Sequence, residues 1–189
     1  MVDVMAEDTI ETKELVERAK NMDADAFGQL YDMYYENIFK YAFFKTGNAA
    51  DGEDLASQVF SGALKNIRNF SWNGSSFASW LFRIAHNVVV DHWRKRGQVV
   101  IEPIDDHLGL AGGTDVAKTV IGRLQLEKLQ AALGQLPDEQ SKVVVLRFIN
   151  GLSAKETAHT MGKTVGAIKA QQFRAVERLR DIMAGELGE

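Results

Sequence analysis

The segment 163–180 holds the side chains best suited to a chemical task, and the task they suit is nucleic-acid binding. It carries five basic residues and one acidic residue. At about 100° per residue, the outer side of a helix through this segment collects Lys163, Gly166, Ala170 and Arg174, flanked by Lys169, Gln171 and Phe173. The opposite side collects the apolar residues expected to pack inward, which are Val165, Ile168, Ala175, Val176, Leu179 and Met183. The outer set can reach base edges in a major groove, although a basic face is also typical of an ordinary solvated helix.

The residues before this helix predict the turn that would present it to DNA. Ser153 and Glu156 form a capping-box sequence, in which each side chain bonds the backbone amide of the other residue. The short helix that they begin reaches Met161 and ends at Gly162, and Thr164 can cap the longer basic helix. A short helix, a glycine-containing turn and a longer basic helix make up a helix-turn-helix unit. The combination favours DNA binding over a plain bundle helix.

A second basic patch lies at 83–96, where four basic residues accompany one acidic residue. It belongs to a predicted helix that follows the polar loop Ser71–Ser76 and ends in Arg94-Lys95-Arg96. Positive charge at a helix C-terminus also complements the helix dipole, which is the alternative explanation for these three cations. Trp72 lies in the loop, where its ring can stack on a base. Trp80 keeps the helical register of its apolar neighbours and is expected in the core.

Apolar residues recur at helical spacing through most of the chain, which predicts an all-α fold. Proline, which breaks helix interiors, occurs only at Pro103 and Pro137. Between Gly97 and Asp115 the pattern lapses into glycines and acidic residues, which indicates a linker. We therefore expect two small helical domains joined by a flexible linker. The expected organisation is an acidic N-terminal extension at 1–24, a first domain at 25–97, the linker at 98–115 and a second domain at 116–189.

The composition excludes several classes of protein. With 189 residues, 46% apolar and 25% charged, the chain has the profile of a globular protein rather than a disordered one. No apolar run approaches the roughly 20 residues of a membrane span, and the first residues lack the pattern of a signal peptide. The absence of cysteine excludes disulfides and thiolate metal sites. A cytoplasmic protein is expected.

The polar residues do not suggest an enzyme. His86 and His92 are six residues apart, which is not the spacing that puts two metal ligands on one helical face. Asp105 and Asp106 lie in the predicted linker without a partner base. Neither a phosphate-binding loop nor a nucleophile motif is present. We expect no catalytic residue, no metal and no cofactor.

From about residue 25 to residue 180, the chain resembles bacterial RNA polymerase sigma factors of the extracytoplasmic-function (ECF) group. The segments that carry the resemblance are AFGQLYDMYYENIFKYAF (26–43), DGEDLASQVFSGALKNI (51–67), SFASWLFRIAHNVVVDHWRKR (76–96) and LPDEQSKVVVLRFINGLSAKETAHTMGKTVGAIKAQQFRAVERLR (136–180). The resemblance implies a sigma factor without catalysis of its own. A region 2-like domain would bind core polymerase and the −10 promoter element, and a region 4-like domain would bind the −35 element.

The resemblance also implies which residues make each contact. The residues implied for the −10 element are Trp72, Arg83, Asn87, Arg94, Lys95 and Arg96, with Asn87 at the position of a base-contacting asparagine. Those implied for the −35 element are Lys163, Thr164, Lys169, Ala170, Gln171, Phe173 and Arg174. Those implied for the polymerase clamp helices are Asp51, Glu53, Asp54, Leu55, Gln58, Val59 and Phe60. For the apolar members of the last set, a place in the core is the alternative, and for Leu55 the favoured one.

The sequence departs from the family where the −35 element would be read. Sigma factors of this group usually have a serine–arginine–leucine run after the position of Lys169, whereas this chain has Ala170-Gln171-Gln172. Ala170 can contact a thymine methyl group and Gln171 can pair with adenine. Gln172 makes the expected packing face more polar than usual. The −35 sequence is therefore left open.

The linker length is compatible with one chain reading both elements. About 18 residues reach at most about 60 Å when extended at roughly 3.3 Å each. Two elements ~17 base pairs apart are separated by a similar distance at ~3.4 Å per step. The implied partners are core RNA polymerase, promoter DNA and, as often in the family, an anti-sigma factor. The alternative is a conventional helix-turn-helix regulator, which would not need an acidic docking helix followed by a tryptophan-flanked basic helix.

Overall fold

The computed structural model describes residues 9–72, 76–97 and 126–186, and every regular element in these ranges is helical. The first domain contains α1 (Ile10–Lys20), α2 (Ala24–Thr46), α3 (Ala49–Asn66), a 3₁₀ turn (Ile67–Asn69) and α4 (Phe77–Arg96). The second contains α5 over 126–134, α6 (Asp138–Val144) with a π-helical turn (Val145–Ile149), α7 (Ala154–Met161) and α8 (Val165–Glu186). The predicted all-α class is confirmed. The predicted linker at 98–115 lies outside the described residues.

Side-chain caps set where the helices of the first domain begin. The side chain of Asn48 accepts a hydrogen bond from the amide of Asp51 at 3.0 Å and starts α3. Ser76 accepts from the amide of Ser79 at 3.1 Å and starts α4. α2 ends at Gly47, whose φ of 78° is a left-handed conformation that glycine adopts without a steric penalty. Local sequence therefore fixes the ends of these helices.

Helix α1 was not predicted from the sequence. Residues 1–24 were expected to be an acidic extension, but Thr9 caps a helix whose Leu15, Val16 and Ala19 are buried against the rest of the domain. The acidic residues of α1 lie on its exposed side. α1 is therefore part of the folded domain and packs on α2 and on the 3₁₀ turn.

The core of the first domain forms where α2, α3 and α4 meet. Its largest fully buried side chains include Leu30, Tyr34, Ile38, Tyr41, Leu55, Ile67, Phe77, Leu81 and Phe82. α2 and α3 approach closely at Gly52, where an added Cβ would lie 3.1 Å from the Phe39 ring. Trp80 is partly buried, with its ring centroid 5.2 Å from Phe70 and 5.4 Å from Phe77. Trp80 thus packs against the core, as its register predicted, without being fully buried.

The helix-turn-helix of the second domain forms as its capping signals predict. Ser153 and Glu156 make both bonds of the capping box, and α7 ends at Gly162 with φ of 64°. The hydroxyl of Thr164 accepts from the amide of Ala167 at 3.2 Å at the start of α8.

The inward face of α8 is narrower than predicted. Ile168 and Ala175 are fully buried, and Leu179 is partly buried. The expectation that Val165, Val176 and Met183 also pack inward was wrong, because they are 38%, 37% and 49% exposed. Val165 lies at the first residue of α8 and Met183 near its last turn, whereas the buried Ile168 and Ala175 lie between them.

The two domains pack directly on each other along a seam, which α2 and α4 of the first domain form with the second domain. The hydroxyl of Ser76 donates to Glu156 Oε1 at 2.6 Å, and the hydroxyl of Thr160 donates to the carbonyl oxygen of Ser79 at 3.2 Å. Apolar residues of both domains join one buried cluster, including Leu133, Leu136, Val144 and Leu146 of the second.

An ion pair and a histidine lie at one end of the seam. Lys45 Nζ is 2.9 Å from Asp138 Oδ1, and Lys142 Nζ is 2.6 Å from Asp138 Oδ2. Burial alone would raise the pKa of Asp138, but the two ammonium groups outweigh it and lower that pKa. Burial, helped by the positive charge of Lys142, lowers the pKa of His86. His86 Nδ1 lies 3.4 Å from the hydroxyl of Tyr41, whose own pKa burial raises.

Candidate nucleic-acid interface

The outer face of α8 is open to solvent and carries most of the residues predicted to contact the −35 element. The members of the predicted set that are exposed are Lys163, Thr164, Lys169, Ala170, Phe173 and Arg174. Phe173 is 66% exposed, which is unusual for a large apolar side chain and consistent with a contact surface. Lys163 Nζ forms an ion pair with Glu139 at 2.6 Å, so its ammonium group is partly neutralised within the domain.

A side chain that sequence reasoning missed supports the outer face of α8 by bonding a residue on the opposite, packing side of the helix. Arg147, in the π-helical turn, donates from Nε to Gln172 Oε1 at 3.1 Å and from Nη1 to the carbonyl oxygen of Leu152. Gln172 is the polar residue that departs from the family on the packing side of α8. Arg147 therefore explains how a glutamine is accommodated there. The two residues are 25 positions apart, and no local pattern connects them.

Helix α4 presents a second polar face on the first domain. Arg83, Asn87, Arg94 and Lys95 are exposed. Arg83, Asn87 and Arg94 are spaced by four and seven residues, which places them along one side of the helix. The opposite side is buried through Leu81, Phe82, Ala85 and Val89. The basic side chains exposed on α4 can bind phosphates, and the amide of Asn87 can bind a base edge.

Arg96 is paired with Asp51 of α3, whereas its neighbour Arg94 pairs with Asp91 within α4 at 3.2 Å. Its Nη1 and Nη2 atoms donate to Asp51 Oδ2 and Oδ1 at 2.8 and 3.0 Å. His92 Nε2 lies 3.9 Å from the same carboxylate. The structure thus pairs a residue expected to bind DNA phosphate with a residue expected to bind polymerase, and in this arrangement neither charge is free.

Trp72 precedes α4 and is anchored at its indole nitrogen. Nε1 donates to Glu17 Oε1 at 3.1 Å, and the ring meets Phe70 edge-on with centroids 4.7 Å apart. The hydrogen bond from Trp72, followed by that from Lys20, lowers the pKa of Glu17. Glu17 is a second residue that sequence reasoning missed, since it lies in the segment expected to be an extension.

The acidic helix α3 exposes only part of its predicted docking set. Glu53, Asp54 and Gln58 are exposed. Leu55, Val59 and Phe60 are 1%, 1% and 5% exposed. The core position favoured for Leu55 is therefore confirmed, and Val59 and Phe60, which the resemblance implied for polymerase docking, are also buried rather than exposed. They lie on the side of α3 that faces α2 and α4 and complete the core instead.

The described residues hold neither a membrane-spanning element nor a metal cluster. None of the helices in the described part of the chain combines the length and apolar character that crossing a bilayer requires. In the same ranges, His, Asp and Glu side chains do not gather in groups of three or more that could hold a metal ion.

Comparison with known proteins places both domains in one family. The family model of sigma-70 region 2 matches residues 30–99, and that of sigma-70 region 4 matches residues 126–179. The ECF RNA polymerase sigma factor BldN of Streptomyces coelicolor is 39% identical over 178 residues, which cover 93% of this chain and 67% of BldN. SigW of Bacillus subtilis, also an ECF sigma factor, is 29% identical over 177 residues, covering 89% of this chain and 94% of SigW.

A solved structure is similar across both domains. The sigma factor RpoE from Bartonella quintana, in complex with the anti-sigma factor NepR, superposes with a TM-score of 0.68 and 25% identity. The match covers 84% of this chain and 96% of RpoE. Because the models of sigma-70 regions 2 and 4 both match in order, and because BldN is 39% identical to this chain, the chain belongs to the ECF family of RNA polymerase sigma factors.

Proposed function

We propose that this sigma factor binds core RNA polymerase, recognises the −10 and −35 promoter elements with its two domains, and helps to nucleate promoter melting. The observation that carries the proposal is the pair of exposed basic faces on α4 and α8, each backed by buried apolar residues. Sigma factors act in transcription initiation as specificity subunits, so binding energy rather than a catalytic group would do the work.

The α4 face suits the −10 element. Arg83, Arg94 and Lys95 would hold the phosphate backbone, while Asn87 offers both donors and an acceptor to a base edge. Melting requires a base to leave the stack at a cost of a few kcal/mol. The ring of Trp72 supplies a stacking surface that would offset part of this cost.

The α8 face suits insertion into a major groove, because the second helix of a helix-turn-helix unit lies in that groove. Lys169 and Arg174 flank the exposed ring of Phe173, and Ala170 leaves room for a close approach to the bases. Because Ala170 cannot donate a hydrogen bond, we expect Gln171 and Arg174 to carry most of the base discrimination.

The α3 face suits a basic partner surface on polymerase. Glu53, Asp54 and Gln58 project into solvent and would provide electrostatic complementarity. The buried residues of α3 would hold that face in place rather than contact the partner. Asp51 would join the contact when it is released from Arg96.

Promoter binding requires the seam to open. Ser76 at the start of α4 touches Glu156 in α7, and the eight residues of α7 span only about 12 Å at 1.5 Å each. The two DNA-facing helices therefore begin much closer together than the roughly 60 Å between elements ~17 base pairs apart. We propose that the closed arrangement is the free form and that the domains separate on polymerase and promoter.

An anti-sigma factor is a proposed partner of the closed form. RpoE was solved in complex with such a factor, NepR. In this chain a cleft of about 410 Å³ lies along the seam, with Phe44, Val90, Trp93 and Leu133 in its wall. Its apolar wall residues would accept the apolar side of a partner helix that keeps the domains together, and Lys45, Asp138 and Lys142 line the same cleft.

Replacing Asn87 tests the proposed −10 role. Asn87→Ala should reduce open-complex formation, measured by permanganate reactivity of melted thymines, on the order of 10-fold, because one base-edge contact is lost. Binding to core polymerase should be unchanged, because Asn87 is not one of the α3 residues proposed to dock on polymerase.

The matched control for this substitution is Asn66→Ala. Asn66 is another exposed asparagine, but its amide bonds the Gly62 carbonyl oxygen within α3 at 2.8 Å. Its substitution should leave promoter opening intact. Unchanged melting by Asn87→Ala would show that Asn87 has no −10 role.

A further inference from the structure

The contact between Glu17 and Trp72 links an N-terminal helix to the loop before the proposed −10 helix. The two residues are 55 positions apart, and the indole N–H donates to the carboxylate at 3.1 Å. An indole has one hydrogen-bonding atom, which is this N–H donor. With that atom engaged, what the side chain can still offer a nucleic acid is its π face.

Packing within the first domain fixes both Glu17 and Trp72. Glu17 lies on α1, which buried Leu15, Val16 and Ala19 fasten to the domain. Trp72 is half-buried and has the Phe70 ring edge-on at 4.7 Å. A ring fixed at one edge by packing and at its nitrogen by a carboxylate has little rotational freedom left, so binding a base would cost less ordering entropy.

A carboxylate beside a DNA-binding surface would normally repel phosphate, and here its charge is countered. Lys20 Nζ forms an ion pair with Glu17 at 3.1 Å, one turn along the same helix. The carboxylate therefore acts as a hydrogen-bond acceptor within a nearly neutral group of three side chains.

We infer that Glu17 is a positioning residue for −10 recognition, which orients the Trp72 ring as a stacking platform for an unpaired base of the −10 strand. Because Trp72 acts in the proposed −10 recognition, this inference rests on that proposed function. It extends the −10 site onto α1.

Base stacking can be followed with a fluorescent probe in the holoenzyme. The DNA is a fork-junction promoter whose single-stranded −10 segment has been selected from a random pool by the wild-type holoenzyme, with 2-aminopurine in place of each adenine in turn. Stacking on an aromatic ring quenches this probe. Glu17→Ala should weaken the quenching interaction about 3- to 10-fold, the worth of one net hydrogen bond.

Two further variants separate positioning from charge and from folding. Glu17→Gln keeps an acceptor oxygen and should retain near wild-type quenching, whereas relief of phosphate repulsion would make both variants bind more tightly. In a Trp72→Phe background, which lacks the indole N–H, Glu17→Ala should have no further effect. Glu14→Ala, at an exposed glutamate of the same helix, should behave as wild type.

Several results would overturn the inference. Equal quenching by Glu17→Ala and wild type would do so, as would an undiminished effect of Glu17→Ala in the Trp72→Phe background. An equal loss in −35 duplex binding would reveal a general folding defect instead of positioning. A wild-type holoenzyme that selects no −10 strand would instead contradict the proposed function. The failure of the positioning role and the failure of −10 recognition are therefore distinguishable.

Discussion

Cross-linking the two domains across the seam should abolish promoter opening, and cleaving the cross-link should restore it. The variant Lys45→Cys/Asp138→Cys places thiols where the Lys45 and Asp138 side chains meet at 2.9 Å. Since the chain has no cysteine of its own, a reducible bismaleimide would join only these two positions. Two linked binding modules lose their joint affinity when geometry forbids simultaneous engagement. We expect open-complex formation to fall about 100-fold or more.

The control for the cross-link joins two positions within one domain. Glu36→Cys/Lys40→Cys replaces an ion pair one turn apart on α2, and its cross-link should leave promoter opening unchanged. The seam variant before cross-linking should also be active. Full promoter opening by the seam variant, with the cross-link verified by mass spectrometry, would show that the domains need not separate.

Arg174→Ala should weaken binding to the −35 duplex by about 1–3 kcal/mol, which is about 5- to 150-fold, if Arg174 reads a base. Arg174 is exposed on the outer face of α8, next to Phe173. Its guanidinium is suited to bidentate contact with guanine. Loss of that contact should also relax sequence preference at one base pair, which titration of a panel of single-base −35 variants would measure.

The matched control is Arg180→Ala on the same helix. Arg180 is also exposed and lies near Glu177, with 3.6 Å between Nη1 and Oε1. It is six residues from Arg174 and therefore faces a different direction. Its loss should change affinity little and specificity not at all. Equal affinity of wild type and Arg174→Ala for the −35 duplex would remove Arg174 from the site.

The features that the sequence predicted well are those with local causes. The capping box at Ser153 and Glu156, the turn at Gly162 and the cap at Thr164 involve residues within a few positions of one another. Such signals determine helix ends before any tertiary contact forms. The helix-turn-helix could therefore be predicted together with the exposure of its basic face.

Apolar periodicity was informative about helices but not about what covers them. The same spacing placed Leu55 and Val59 on an α3 stripe, yet a stripe does not distinguish a core face from a docking face. On α8 it predicted burial of Val176 and Met183, which are 37% and 49% exposed. Burial depends on the length and position of the partner element.

The contacts that were missed connect residues far apart in the chain. Glu17 and Trp72 are separated by 55 positions, and Ser76 and Glu156 by 80. The pairings arise from how α1 and α7 pack, which no local pattern encodes. Most individual residues of the site could therefore be predicted from the sequence, whereas the contacts between distant residues could be seen only in the structure.

Complex formation with bacterial core RNA polymerase tests the central claim most directly. The full chain and core enzyme would be mixed and separated by size exclusion, and each fraction would be assayed for promoter-dependent transcript initiation. We predict a stable stoichiometric complex that initiates at selected promoters, whereas core enzyme alone does not. Failure to form a complex, both with the full chain and with residues 1–97 alone, would contradict the proposed function.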